Sequence, residues 1–377
     1  MVILKEEINM GINVAIIKPV GNGCNLQCKY CYVDGKPSKI EHMTIQMGKR
    51  IVDELFAQED VNEIEFLWHG GEPLLQPISF YSEIFKYQNK KSNETGKKYE
   101  NSIQTNLTLL NDDWIDFFIK NNIIISTSLD GPRELHNINR CFPNHEGAFD
   151  RVQKGVALAQ ERGCKVNALC VVSKSNVGFP EAICEEFDNL NINHVGFLPC
   201  YKTENDRTVI PSLSPGEYGL FLTKVFDLYL QGKTNVKIRE MDQFLGGTIG
   251  FQQDICSFTG HCDHFICIDY AGDVFSCDTT PQNDIHRFGN LQTSSLLALT
   301  KTAKYSCFVK SIQDEQLLCK SCPYFEYCHN GCSNMRVNGR YYYCEDRKIL
   351  FSYFEKVIKD VLSEEGKNDS SNRCFTV

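Results

Sequence analysis

From residue 13 to about 230, short apolar runs rich in Val, Ile and Phe alternate with stretches of helical periodicity. The apolar runs fall at 13–18, 64–68, 102–105, 123–129, 166–172 and 194–198. Most are continuous rather than alternating, as in strands buried on both faces. Helix-like stretches lie between them near 44–57, 78–89, 112–120, 149–162 and 179–188. Strand–helix alternation implies right-handed crossovers and a parallel sheet. Six such units predict an α/β fold, a partial (β/α)6 barrel whose open side admits a large substrate. In β/α barrels the chemistry sits beyond the C-terminal ends of the strands.

After a helical stretch at 214–231 the pattern changes. Between Cys256 and Cys344 the chain is dense in Cys, Gly, Asp and aromatic residues and only weakly periodic, which predicts a small module stapled by metal. A last helix is expected near 345–363, followed by a polar, frayed tail. The predicted division is a barrel at 1–232, a Cys-rich domain at 233–362 and a flexible tail at 363–377.

Composition narrows the function. A net charge of −9 over 377 residues argues against a nucleic-acid substrate held by its phosphates. The first ten residues carry two acids and no long apolar stretch, so they are no export signal. No window approaches the roughly 18 apolar residues of a membrane span. Nineteen cysteines without such a signal point to the reducing cytoplasm and to metal ligation instead of a disulfide framework.

The sharpest chemical signal follows the first predicted strand. Cys24, Cys28 and Cys31 stand at C-x3-C-x2-C spacing in a loop beginning at Gly21, with Tyr30 before the last thiol. A cubane iron–sulfur cluster normally takes four thiolates. Three from one tight loop leave one iron open to a small molecule offering a nitrogen and an oxygen. The alternative is a zinc knuckle, for which the loop has no local fourth ligand. The motif resembles that of the radical S-adenosylmethionine (radical SAM) superfamily, in which the reduced cluster cleaves S-adenosylmethionine.

The resemblance extends along the barrel. Gly70-Gly71-Glu72-Pro73 after the second strand looks like the motif that contacts the amino group of S-adenosylmethionine. Gln104 and Asn106 end the third strand and Ser128 the fourth, all three expected at the cofactor. By resemblance Ser128 lies near the ribose and Arg140 pairs with the methionine carboxylate. The bland alternatives are a turn at Asp130-Gly131-Pro132 and a solvated arginine. His69 and His136 are expected as cavity walls or supporting residues.

A second constellation comprises Cys256, Cys262 and Cys277, then Cys319-x2-Cys322-x5-Cys328-x3-Cys332, then Cys344. It is similar to the SPASM module of peptide-modifying radical SAM enzymes. The resemblance implies two auxiliary clusters, making three [4Fe-4S] clusters in all. Cys319, Cys322, Cys328 and Cys344 would hold the distal one, and Cys262, Cys277 and Cys332 the nearer one. Cys256 is the preferred fourth ligand of the latter and Cys267 its rival. A pair of zinc sites is the alternative, since zinc also takes four thiolates. Most of the remaining cysteines are expected to be ordinary buried thiols, with Cys200 a candidate to face the cavity.

The chain resembles anaerobic sulfatase-maturating enzymes most closely. These oxidise a Cys or Ser of a sulfatase to Cα-formylglycine, with an aspartate after a cluster cysteine as base. That position is Asp278 here, and burial is expected to raise its pKa. An Asp capping a turn is the alternative. The implied partners are a peptide or protein substrate and an electron donor such as flavodoxin or ferredoxin, with neither nucleic acid nor membrane. Trp68-His69 stands where many maturases have Phe-Gln, Tyr270-Ala271-Gly272 where Glu/Asp-x-Asp-Gly is usual, and Asn106-Leu107-Thr108 where Asn-Gly-Thr is. These departures bear on the substrate more than on the chemistry. The second hypothesis is a maturase that crosslinks a ribosomal precursor peptide; the 23 residues before Cys24 are too few for the leader-binding domain many of those carry. The third is a non-catalytic metal-binding scaffold.

Overall fold

The computed structural model describes residues 11–33, 39–204, 207–208, 210–249, 253–281 and 283–365. The expected tail lies outside the described residues beyond Glu365. Six parallel strands form the centre of one sheet in sequence order: β1 (Val14–Lys18), β2 (Glu63–Trp68), β3 (Lys98–Thr105), β4 (Ile124–Ser128), β5 (Val166–Val172) and β6 (His194–Pro199). Helices α1 (Ile45–Phe56), α2 (Ile78–Thr95), α3 (Asp112–Lys120), α4 (Arg133–Asn139), α5 (Phe149–Glu161) and α6 (Pro180–Asn189) lie in the crossovers, and α7 (Glu217–Leu230) follows β6. The open, partial-barrel α/β architecture expected from the alternation is therefore present.

Local chemistry sets these boundaries. Thr44 and Asn111 cap α1 and α3 by accepting from Met47 N at 3.1 Å and Trp114 N at 3.0 Å, each a contribution of about 1 kcal/mol. In β5, Val166, Ala168, Cys170 and Val172 are buried while Asn167, Leu169 and Val171 are half-buried, so the two faces alternate with period two. The hydrophobic core unites the sheet with α1–α7 and with the helix that starts at Cys344.

Both edges of the parallel sheet are extended by residues from the Cys-rich half. Phe265–Asp269 pairs parallel with β1, from Val14↔Phe265 to Lys18↔Asp269, and Asp273–Phe275 and Gly289–Asn290 continue antiparallel. At the other edge Lys237–Ile238 pairs parallel with β6. The result is an open ten-stranded sheet. The run Phe-Ile-Cys-Ile-Asp is too short, and too embedded among cysteines, for local periodicity to reveal it as a strand. Helices at Arg133–Asn139, Arg239–Ile249 and Ala303–Gln316 were likewise not expected. The last of these buries only Ile312, so its apolar stripe is nearly absent.

The helix Cys344–Glu365 packs along α7. Asp346 is fully buried, and its carboxylate accepts from Gly216 N at 2.8 Å and Gly219 N at 2.7 Å. Tyr343 donates to Cys200 O at 2.6 Å, so Cys200 sits at this junction. Asp346→Ala would leave two buried N–H groups without their acceptor, at a cost of about 1–3 kcal/mol each. The expected outcome is an apparent Tm lowered by several degrees in the cluster-loaded protein, measured by thermal unfolding at fixed protein concentration.

Candidate active site and cluster sites

The loop from Gly21 to Cys31 leaves the C-terminal end of β1 and is held from three directions. Gly71 N and Glu72 N donate to Gly21 O at 2.9 Å and Gly23 O at 2.8 Å. Gln27 N and Lys29 N donate to Cys141 O at 2.7 Å and Asn139 O at 2.9 Å. Asn106 Nδ2 donates to Asn25 Oδ1 at 2.9 Å and lies 4.0 Å from Cys24 Sγ. The Gly70-Gly71 pair is required by this approach. Gly70 has φ +108, and a Cβ on Gly71 would stand 1.8 Å from Gly23 O, inside any permitted contact.

Glu72 departs from the simplest expectation for an ammonium acceptor. It is 1% exposed; Oε1 accepts from Thr105 Oγ1 at 2.6 Å and Leu74 N at 2.9 Å, and Oε2 from Asn106 N at 2.8 Å. Its carboxylate ties β2 to β3. Burial pushes its pKa up to about 7, with these hydrogen bonds opposing the shift. Gln104 Nε2 donates to Ser128 Oγ at 2.9 Å, which brings those two expected residues together at the strand ends.

Arg140 is not a solvated arginine. It is buried, and its Nε and Nη2 donate to Asp130 Oδ2 at 3.0 Å and Oδ1 at 3.4 Å. Its guanidinium lies 5.3 Å from the centre of the Tyr30 ring, and Tyr30 OH also donates to Asp130. Val171 N donates to Asp130 Oδ1 at 3.0 Å. Asp130 thus joins the cysteine loop, the segment after α4 and β5, a role that reading 130–132 as a turn did not reveal. His136 is fully buried with its pKa pushed down to about 3, chiefly by burial, and Nδ1 accepts from Asp130 N at 3.3 Å. It is a neutral supporting residue.

Asp278 follows Cys277 and is reached from three other segments. Tyr32 OH donates to its Oδ2 at 2.8 Å, and Cys277 Sγ to its Oδ1 at 3.1 Å. His69 and Lys18 lie close enough to act on it through charge. Burial raises the Asp278 pKa, but His69, the two hydrogen bonds and Lys18 outweigh it and hold the carboxyl below its ordinary value. This corrects the expectation of a raised pKa: the carboxylate is half-buried and surrounded by donors and positive charge. Tyr32 and Lys18 were not singled out from sequence. Lys18 is 1% exposed at the end of β1 and donates to Asn22 Oδ1 at 3.0 Å; a lysine ending an apolar run was the available signal. His69 Nδ1 accepts from Gly70 N at 2.6 Å, and burial lowers the pKa of the ring.

Eight of the other thiols fall into two groups. Burial raises the pKa of Cys256, Cys277 and Cys332, and neighbouring thiols add to it: Cys262 and Cys332 act on Cys256, Cys256 and Cys332 on Cys277, and Cys262 on Cys332. In the second group, burial of Cys319, Cys328 and Cys344 is reinforced by Cys344 and Cys322, by Cys319, and by Cys328 and Cys322 respectively. Cys267 joins neither. It is fully buried with Ile16 and Phe275, and the charged groups that act on it are Lys18, Asp278 and Asp269.

Thiolates of Cys24, Cys28 and Cys31 and of the two C-terminal groups are the donor set that iron–sulfur clusters take.

Comparison with known proteins agrees. Residues 19–190 match the radical SAM superfamily and 256–323 an iron–sulfur cluster-binding (SPASM) domain. The chain is 31% identical over 91% of its length to a cysteine-type anaerobic sulfatase-maturating enzyme of Clostridium novyi, covering 94% of that protein. It is 29% identical over 91% of its length to the serine-type enzyme of Bacteroides thetaiotaomicron, covering 88%. It superposes with a TM-score of 0.83 and 28% identity on the native enzyme anSMEcpe with bound AdoMet and a peptide, over 93% of this chain and 99% of that one.

Gly71→Ala would force the cysteine loop off β2. It is expected to lower cluster iron by about one third, one cubane of three, while the two C-terminal groups of thiols keep theirs; iron and sulfide analysis after anaerobic reconstitution checks this. The chain belongs to the anaerobic sulfatase-maturating enzymes of the radical SAM superfamily.

Proposed function

We propose that this enzyme oxidises a Cys or Ser side chain of a sulfatase to Cα-formylglycine. The observation that carries this reading is Asp278, a half-buried carboxylate held by Tyr32 and flanked by His69 and Lys18, beside a cysteine of the auxiliary group. When bound, S-adenosylmethionine with the cluster at Cys24, Cys28 and Cys31 supplies hydrogen-atom abstraction at the substrate Cβ, and the auxiliary clusters supply a sink for the second electron. Asp278 takes the thiol or hydroxyl proton. The side chain then stands as a thioaldehyde, hydrolysed to the aldehyde with release of sulfide, or as the aldehyde directly.

The remaining residues position the reactants. The backbone of Gly70 and Gly71 offers carbonyl acceptors to the ammonium group of the cofactor, while Glu72 holds that backbone in place. Gln104 and Ser128, joined by their hydrogen bond, would hold the cofactor from the strand ends, with Ser128 near the ribose. Asn106 supports the cysteine loop beside the cofactor. Asp130 occupies one side of Arg140, leaving Nη1 and the second Nη2 hydrogen for the methionine carboxylate. Cys24, Cys28 and Cys31 hold the first cluster. Cys256, Cys262, Cys277 and Cys332 hold the nearer auxiliary cluster, and Cys319, Cys322, Cys328 and Cys344 the distal one. Electrons come from a small carrier such as flavodoxin or ferredoxin. The cytoplasm is the setting we assign, because nineteen cysteines suit a reducing compartment and metal ligation. Among the described residues no helix is long and apolar enough to cross a membrane.

Two measurements test this. The reduced enzyme is incubated with S-adenosylmethionine and a Cys-x-Pro-x-Arg peptide; an aldehyde with loss of sulfur is expected, whereas loss of two hydrogens without an aldehyde would indicate a crosslink. Asp278→Asn should keep its iron and still form 5′-deoxyadenosine, with formylglycine falling roughly 10²–10⁴-fold. Undiminished turnover would remove Asp278 from the mechanism.

A further inference from the structure

The short 3₁₀ helix Cys262–His264 presents two different faces. Cys262 points toward Ser333, its Sγ 3.4 Å from Ser333 Oγ, and lies within electrostatic reach of Cys256 and Cys332. In a 3₁₀ helix, side chains three residues apart eclipse one another. His261, the capping residue, and His264 obey this rule: their rings are parallel to within 5° with centroids 5.0 Å apart. Asp263 lies beside them, its Oδ1 3.5 Å from His261 Nδ1. One ligand atom from each of the three falls within 4.8 Å of the others. His261 is exposed, and Asp263 and His264 are half-buried.

The backbone that carries the trio is anchored. Asn13 N donates to His264 O at 3.2 Å, which ties the helix to the start of β1. Tyr305 OH donates to Asp263 O at 3.1 Å, and the Tyr305 ring packs on Phe288 and Phe308. At the other end Gly260, at φ +71, turns the chain out of the preceding helix, and its carbonyl accepts from Gln316 Nε2 at 2.8 Å. The three side chains are thus held on a fixed support and need only rotamer adjustment to converge.

We propose that His261, Asp263 and His264 form a binding site for a divalent first-row transition ion, separate from the thiols. Two imidazole nitrogens and one carboxylate oxygen suit zinc or ferrous iron, not magnesium or calcium, which prefer all-oxygen shells. Three protein ligands leave at least one coordination position open to water. The ion clamps the segment that carries Cys262 from its solvent side, while the thiol serves the interior.

Zinc alone is the probe, added anaerobically to enzyme with its clusters assembled. Binding is followed by competition with a chromophoric chelator, and iron and sulfide are measured before and after. One zinc per chain should bind with no loss of iron. His264→Gln should weaken binding by at least about tenfold, since losing a residue that merely supports a ligand already costs about 10–100-fold, with iron content unchanged. Should that variant assemble less iron, His261→Ala, which alters the most exposed ring, provides the comparison. Absence of zinc uptake, uptake matched by release of iron, or equal affinity in wild type and variant would each overturn the proposal.

Discussion

A ring of hydrogen bonds at the C-terminal ends of β1, β2 and β3 is the constraint on which the site depends. Gly71 and Glu72 donate to the carbonyls of Gly21 and Gly23, and the Glu72 carboxylate takes donors from Thr105 and Asn106. Asn106 returns to Asn25 and the edge of Cys24. A loop with three cysteines has many conformations; this circuit selects one. It closes only because residue 71 has no side chain. The energetic logic is that of a fully satisfied buried network: each member is worth little alone, and each is costly to leave unpaired. Function and local fold are therefore linked here, since the groups at the strand ends also hold the loop that carries Cys24, Cys28 and Cys31.

The second half of the chain reaches the same place through the sheet. Phe265–Asp269 pairs with β1 in parallel, and Asp273–Phe275 returns antiparallel beside it; just past that return Asp278 meets Tyr32, His69 and Lys18. Asp278 is positioned by two cysteine-bearing segments at once, through Cys277 beside it and through Tyr32, the residue after Cys31. Asp130 plays the matching part on the far side, where it holds Tyr30 and Arg140 together. The positive and donor groups around Asp278 hold its carboxyl below its ordinary value, which accords with the proton-accepting role proposed for it.

Much of this was legible in the sequence because it rests on local signals. The six strands of the barrel announce themselves as apolar runs, and the helices between them as caps and periodicity. The cysteine spacings point to three groups of thiols, and Cys267 packs inside the sheet with Ile16 and Phe275. What escaped has a common physical cause: it depends on residues distant in sequence. The edge strands at 265–269 and 237–238 are defined by partners more than forty residues away or by a single short pairing. The inward turn of Glu72, the commitment of Arg140 to Asp130, and the donors that lower the Asp278 pKa are likewise products of tertiary packing. Burial alone, the only term a sequence suggests, gives the wrong sign for Asp278.

The central claim is that one iron of the cluster held by Cys24, Cys28 and Cys31 has no protein ligand and is reserved for the amino and carboxylate groups of S-adenosylmethionine. Electron–nuclear double resonance on the anaerobically reduced enzyme, with S-adenosylmethionine carrying 15N in its amino group, tests it directly. The account predicts a nitrogen hyperfine coupling to the reduced cluster that disappears when the cofactor is omitted. A cluster spectrum identical with and without the labelled cofactor would contradict it.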